Sequence, residues 1–210
     1  VFPSTKEARV SESDTLTTAT RLVNGVEVPI AGTWNIDSQH SSLAFEARHA
    51  VVTRMWGRFR QSSGVFHIAE RPEDSSVEVT IDAGSIDTTH AVADEHLRGE
   101  HYLDVEKFPA ITFRSTSVRH VDGDRWEIVG DLTIRAITRP ITLDATFNGA
   151  VPVAYGPKAK LAFTARGRID RRDYDMTVNL PMPTGGVVVG NEVNIILDAE
   201  ADLQDEADGG

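Results

Sequence analysis

Hydrophobic and polar residues alternate with a period of two from Thr33 almost to the C-terminus. That period is the mark of half-buried β-strands. Eight segments carry it: Thr33–Arg48, Gly57–Ile68, Ser76–Gly84, Ala110–Val118, Arg125–Arg135, Ile141–Asn148, Lys160–Ile169 and Glu192–Leu203. In the fifth, Trp126, Ile128, Gly130, Leu132 and Ile134 share one face, while Arg125, Glu127, Asp131, Thr133 and Arg135 share the other. In the last, Val193, Ile195, Leu197, Ala199, Ala201 and Leu203 oppose Asn194, Asp198, Glu200 and Asp202. One apolar and one wet face per strand specify antiparallel sheet. Eight long strands joined in order predict an all-β, eight-stranded antiparallel up-and-down barrel, a size just wide enough for one small ligand. A β-sandwich is the alternative.

The connections divide by length. Ala69–Ser75, Arg119–Asp124 and Gly149–Ala159 are modest, and Asp122-Gly123 reads as a tight turn. Ser85–Pro109 and Asp170–Asn191 are long and belong, with His49–Trp56, to the opposite end of the barrel. Long ordered connections usually have a task, so this decorated end is expected to be the mouth. Asp94–Asp104 predicts a short helix with acids in its first turn, and Pro109 forces Phe108 into extended geometry. Asn24-Gly25 between β-branched residues fits a hairpin or a plain loop. The expected organisation is an N-terminal tail over residues 1–30, a barrel over 31–203 and an acidic tail over 204–210.

Charge and composition then exclude whole classes. A net charge of −11 argues against nucleic acid and against electrostatic docking on anionic lipid. The absence of cysteine excludes disulfides, thiolate metal sites and cysteine nucleophiles. No run of apolar residues is long enough for a transmembrane helix. Val1–Asp14 lacks the apolar core of a secretory signal, which makes the cytoplasm the expected compartment, with a removed export signal as the alternative.

Catalytic patterns are weak. His40, His49, His90, His96 and His101 contain no His-Glu-x-x-His spacing, and only His96 and Glu100 would share a helical face, so no metal is expected. His96 is expected to cap or tie down the helix, and His40 to hydrogen-bond at a bend in the first strand. Ser41-Ser42 beside His40 lacks the glycines of a nucleophile elbow. Gly185-Gly186 lacks the lysine of a phosphate loop. Asp94, Glu95 and Asp104 read as surface acids. No catalytic residue and no cofactor is expected.

Five ordered blocks carry a resemblance. They are Trp34–Phe45 with Arg48-His49; Gly57-Arg58-Phe59; Ser85–Thr88 with Asp94–Arg98 and Leu103–Phe113; Gly130–Pro140; and Arg172-Asp173-Tyr174. Together they resemble the YceI-like, lipocalin-like lipid-binding family over about Thr33–Leu203. The resemblance implies a barrel with an elongated apolar tunnel and a polyprenyl chain or quinone as ligand and partner, bound without catalysis for transport or storage. It also implies homodimers, since members often pair. A broad lipophile- or antibiotic-sequestering stress protein is the alternative, and an enzyme acting on an isoprenoid a third. The family usually has glycine where Ala136 and Asp175 stand.

The alternation alone leaves a packed core and a lined tunnel both open; the resemblance favours the tunnel. Its expected lining is Phe45, Met55, Trp56, Phe59, Ile81, Leu97, Tyr102, Phe108, Phe113, Ile128, Leu132, Phe163 and Tyr174. Arg98, His101, Arg139 and Arg172 are the candidates for a polar head group.

Overall fold

A computed structural model describes residues 18–50, 52–152, 158–179 and 188–204. The expected tails lie mostly outside this range, as do Pro181, Pro183 and Gly185-Gly186 of the last long connection. The strands are β1 (Thr20–Val23), β2 (Val26–Pro29), β3 (Gly32–Ile36), β4 (Ser42–His49), β5 (Thr53–Phe59), β6 (Ser62–Ile68), β7 (Ser76–Asp82), β8 (Ile86–Asp87), β9 (Ala110–Asp122), β10 (Arg125–Ile134), β11 (Ile137–Val151), β12 (Lys160–Asp170) and β13 (Val189–Leu203), with one helix, α1 (Ala91–Arg98). No helix among these is long and apolar enough to cross a membrane.

The eight expected segments become the staves of one closed antiparallel barrel. Around the ring run β12, β11, β10, β9, β7, β6, β3 and β13, and pairing of β12 with β13 closes it. Closure leaves this ring without a free edge, the structural liability of open sheets; β4 and β5 branch from β13, and the branch ends at the two-residue β8. The first two segments are each broken once. Between β3 and β4, the Asp37 carboxylate accepts the backbone N–H groups of Gln39 (2.9 Å) and His40 (3.3 Å), a local turn that competes with the ladder. Both halves still pair with β13. Between β5 and β6, the Arg60 and Gln61 N–H groups donate to the Ser85 carbonyl and hydroxyl instead of to a strand.

Several boundaries differ from the expectation: β9 runs on to Asp122 and β13 starts at Val189, and three further differences bear on the site. The second stave begins at Thr53, within the segment expected to be a mouth loop. The sixth begins at Ile137, because Arg135-Ala136 makes a two-residue turn with φ of 52° and 60°. Left-handed φ at both central positions is what a hairpin of this length requires. It strains a non-glycine residue, which accounts for the glycine that the resemblance implies at the Ala136 position; Asp175, at φ 61°, is the second such site. Finally, α1 starts at Ala91 and stops before Gly99, earlier at both ends than expected. His90 rather than His96 caps it, accepting the Ala93 N–H (3.4 Å), while His96 is exposed.

At the other end, β1 and β2 form a hairpin with Asn24 and Gly25 both at positive φ. It packs on the barrel base through Ala19 and Val28, which are 2% and 1% exposed. Arg21 anchors it, donating to the Ala69 (2.7 Å) and Glu70 (2.9 Å) carbonyls. Trp34 lies at the junction of hairpin and barrel and is wholly buried.

Candidate functional site: a two-chambered apolar cavity

The inward residues do not fill the barrel. Two adjoining chambers remain, with cavity volumes of about 180 and 120 Å³. Leu43, Val79, Phe113, Leu143 and Leu197 line both and form a waist between them. The upper chamber lies at the decorated end, beneath α1 and the segment that follows it. The lower is closed at the base by Val28 and Pro29 of the hairpin and by Pro72 of the 3₁₀ turn after β6.

Alternation places these walls, and two glycines shape them. A Cβ on Gly57 would stand 2.3 Å from the Phe45 ring, and one on Gly130 would stand 2.4 Å from the Phe113 ring. Glycine here lets an aromatic ring lie against the neighbouring strand's backbone. Phe113 is thereby held at the waist. Phe66 and Phe147 flank Phe163 in the lower half, with ring centroids 5.6 and 5.2 Å away.

The roof is fastened from below. Asp94 on α1 is buried and accepts both the backbone N–H (2.7 Å) and the hydroxyl (2.6 Å) of Thr88. Arg98 donates to the Gly84 (2.8 Å) and Ile86 (2.6 Å) carbonyls, binding the helix to the turn after β7. Leu97 is thus held over the chamber.

The cavity gathers Phe45, Met55, Phe59, Ile81, Leu97, Tyr102 and Leu132 around the upper chamber, Ile128 and Phe163 around the lower, and Phe113 around both. Three expected lining residues lie elsewhere. Trp56 is 52% exposed on the outer face of β5, because the neighbouring Met55 takes the inward position. Phe108 lies beneath the Arg135 guanidinium, 5.9 Å from its ring, outside both chambers. Tyr174 is buried against an outer pocket with Arg139 and Asp173.

None of the four head-group candidates lines either chamber. Arg98 is committed to backbone. His101 is exposed, 3.8 Å from Glu100. Arg139 is exposed and bonds the Thr138 carbonyl. Arg172 is exposed and forks onto Asp170, with Nε at 2.9 Å and Nη2 at 2.5 Å from its two oxygens. The charged residue on the upper wall is their neighbour Arg171, 3% exposed, with its guanidinium 5.7 Å from the Tyr102 ring. Its signal was in the sequence. Leu161, Phe163, Ala165 and Ile169 alternate inward along β12, and one further step of two reaches Arg171.

Two polar features stand apart from the cavity. Asp37, His40 and Glu200 bring three ligand-type atoms within 4.8 Å of one another. The Lys160 ammonium already occupies their midst, 2.9 Å from Glu200, 3.6 Å from Asp37 and 2.6 Å from Asp202. A cation is therefore built in, and hydrogen bonds to Asp202 and Glu200 hold Lys160 charged well beyond its ordinary range. His40 bonds Asp37 (2.7 Å) and its pKa is raised by that contact, at the bend between β3 and β4.

Tyr174 gives a pH-dependent expectation. Its buried hydroxyl has no hydrogen-bond partner among the described residues, and burial pushes its pKa up to about 12. An unfolded tyrosine ionises near pH 10. Between those values the unfolded chain releases the proton and the native chain keeps it, so stability falls as pH rises. The loss reaches about 2 kcal/mol. Tyr174→Phe is expected to remove this fall and to leave stability at neutral pH unchanged or slightly higher. Denaturant titrations at pH 8 and pH 11.5 check it; equal alkaline losses in both proteins would refute it.

The comparisons with known proteins agree with this architecture. Residues 34–201 match the model of the YceI-like domain. Protein YceI of Salmonella newport (strain SL254) is 38% identical over 154 residues, covering 72% of this chain and 80% of the relative. Protein YceI of Salmonella arizonae shows the same identity and coverage. Among solved structures, BcnA of Burkholderia cenocepacia superposes with a TM-score of 0.67 at 20% identity, covering 79% of this chain and 98% of BcnA. A polyisoprenoid binding domain from Saccharophagus degradans does so with 0.60 at 13% identity, covering 83% of this chain and all of that one. The latter two show the shared barrel. A closed barrel with a helical insertion, a family model over residues 34–201 and curated relatives at this identity lead to one conclusion: the chain belongs to the YceI-like family.

Proposed function

We propose that this protein binds one long apolar chain of isoprenoid type, a polyprenyl chain or quinone, and transports or stores it without chemical change. The observation that carries the reading is the pair of apolar chambers joined at a waist. Such a shape suits an elongated ligand better than a compact one. Each methylene withdrawn from water contributes about 0.8 kcal/mol, so a chain of several prenyl units has ample driving force against the cost of ordering it. The walls are mostly aliphatic and aromatic side chains, with Ser42, Ser62, Ser75, Ser76 and Asp198 among the lower lining and Arg171 in the upper. Structural similarity to the polyisoprenoid binding domain from Saccharophagus degradans supports the ligand class.

The test is native mass spectrometry of the purified protein, then organic extraction and lipid identification, then titration of stripped protein with geranylgeraniol. A co-purified prenyl lipid, or saturable one-to-one binding of geranylgeraniol, is the expected result. No binding by folded, stripped protein would overturn the reading.

A further inference from the structure

The wall of the upper chamber holds one feature that an apolar tail does not explain: a buried guanidinium with no carboxylate within ion-pair distance among the described residues. Arg171 has five N–H donors. Nε–H donates to the Gly190 carbonyl (3.1 Å). Nη1 donates to the carbonyls of Met176 and Val178. Nη2 makes one long bond to the Asn191 side-chain oxygen (3.4 Å). Four directions are thereby used, all on neutral acceptors, and one Nη2 N–H remains.

No carboxylate within ion-pair distance balances the charge among the described residues. Asp170 attracts Arg171 through space but is hydrogen-bonded to Arg172, and Asp175 lies 3.8 Å from Arg135. The chain has no Asp or Glu from Met176 to Asn191. An arginine stays charged even where burial disfavours it, and a buried charge left uncompensated is costly. Carbonyl dipoles offset part of that cost. A negative group delivered by the ligand would offset the rest.

We propose that Arg171 makes the upper chamber selective for amphiphiles that end in a carboxylate, with the acid oxygen accepting the remaining N–H and the apolar chain running toward the waist. An alcohol or ester accepts the same bond but brings no charge. A phosphate monoester carries close to two negative charges and three acceptor oxygens, more than one cation with one spare donor can satisfy. The proposal rests on the apolar-chain reading above, and sets which end of the ligand sits in the upper chamber.

The experiment compares ligands with one common tail on the stripped full chain: hexadecanoic acid, methyl hexadecanoate, hexadecanol and hexadecyl phosphate, by isothermal titration. A charge-assisted hydrogen bond of the usual strength predicts that the acid binds roughly tenfold to a hundredfold tighter than the alcohol or the ester. Arg171→Met is expected to bring the acid within about threefold of the alcohol and the ester, by weakening the acid most. The comparison on the unaltered protein decides the matter even where that variant fails to fold, since Arg171 also holds the segment after β12. Equal binding of acid and alcohol would overturn the inference and leave apolar-chain binding standing. Tightest binding of hexadecyl phosphate would overturn the carboxylate assignment. Binding of none of the four, together with failure of geranylgeraniol, would overturn the underlying reading itself.

Discussion

Leu197→Trp is expected to weaken geranylgeraniol binding by more than a hundredfold while leaving geraniol within about threefold, a loss of at least ~2.7 kcal/mol for the longer chain alone. Leu197 stands on β13 at the waist, with Leu43, Val79, Phe113 and Leu143 around it. An indole there separates the chambers. A short prenyl chain is accommodated in one of them. A long one must leave its distal units in water, and at about 0.8 kcal/mol per CH₂ a handful of excluded carbons suffices for the effect. The added ring enters open space rather than a packed core, so its stability cost stays within the ~1–3 kcal/mol usual for overpacking. Titration calorimetry with both alcohols, alongside thermal unfolding, makes the check. Undiminished geranylgeraniol affinity in a folded Leu197→Trp protein would mean that the chain does not cross the waist.

Trp34→Ala is expected to cost about 3–5 kcal/mol, the range for truncating a buried aromatic, and to lower Tm by roughly 6–20 °C at this chain size. Trp34 is 0% exposed. It is directly opposite Phe66 on β6 and Leu203 on β13, and its indole N–H donates to the Ile30 carbonyl (3.4 Å) in the link from the hairpin. Removing the ring opens a void beneath the lower chamber and frees the hairpin that closes it. Faster proteolysis across residues 18–31 should accompany the loss. A destabilisation under about 1 kcal/mol would show that the base collapses around the gap, contrary to the rigid closure argued from these contacts.

Most of the barrel was legible in the chain. Period two is a local property of a strand, visible wherever one face meets an apolar interior and the other meets water. For that reason Trp126, Ile128, Leu132 and Ile134, or Val193, Ile195 and Leu197, could be placed inward without any knowledge of their neighbours. Errors fell where the period stops. Around Arg135-Ala136 a tight turn without glycine gave no turn signal. Ahead of Asp94 the helix begins at Ala91, because the unusual cap His90 announces it poorly. Trp56 and Tyr174 were read as cavity residues from aromatic character, whereas their position in the alternation or in a 3₁₀ turn faces them elsewhere.

The sequence by itself determined the antiparallel strands, the order in which they connect, their inner faces and the family to which the chain belongs, because each is encoded in local periodicity or in short contiguous blocks. Only the tertiary structure decided what the inner faces enclose. The waist is drawn from β4, β7, β9, β11 and β13; no stretch of chain contains it. Lys160 fills a carboxylate cluster assembled from residues more than 150 positions apart in Asp37 and Glu200. Arg171 differs from Arg172 by one position, yet one lies buried in the cavity wall and the other is neutralised at the surface. Enclosed volume and the pairing of buried charge depend on where distant segments meet, and that is settled by closure of the ring rather than by any residue's neighbours in the chain.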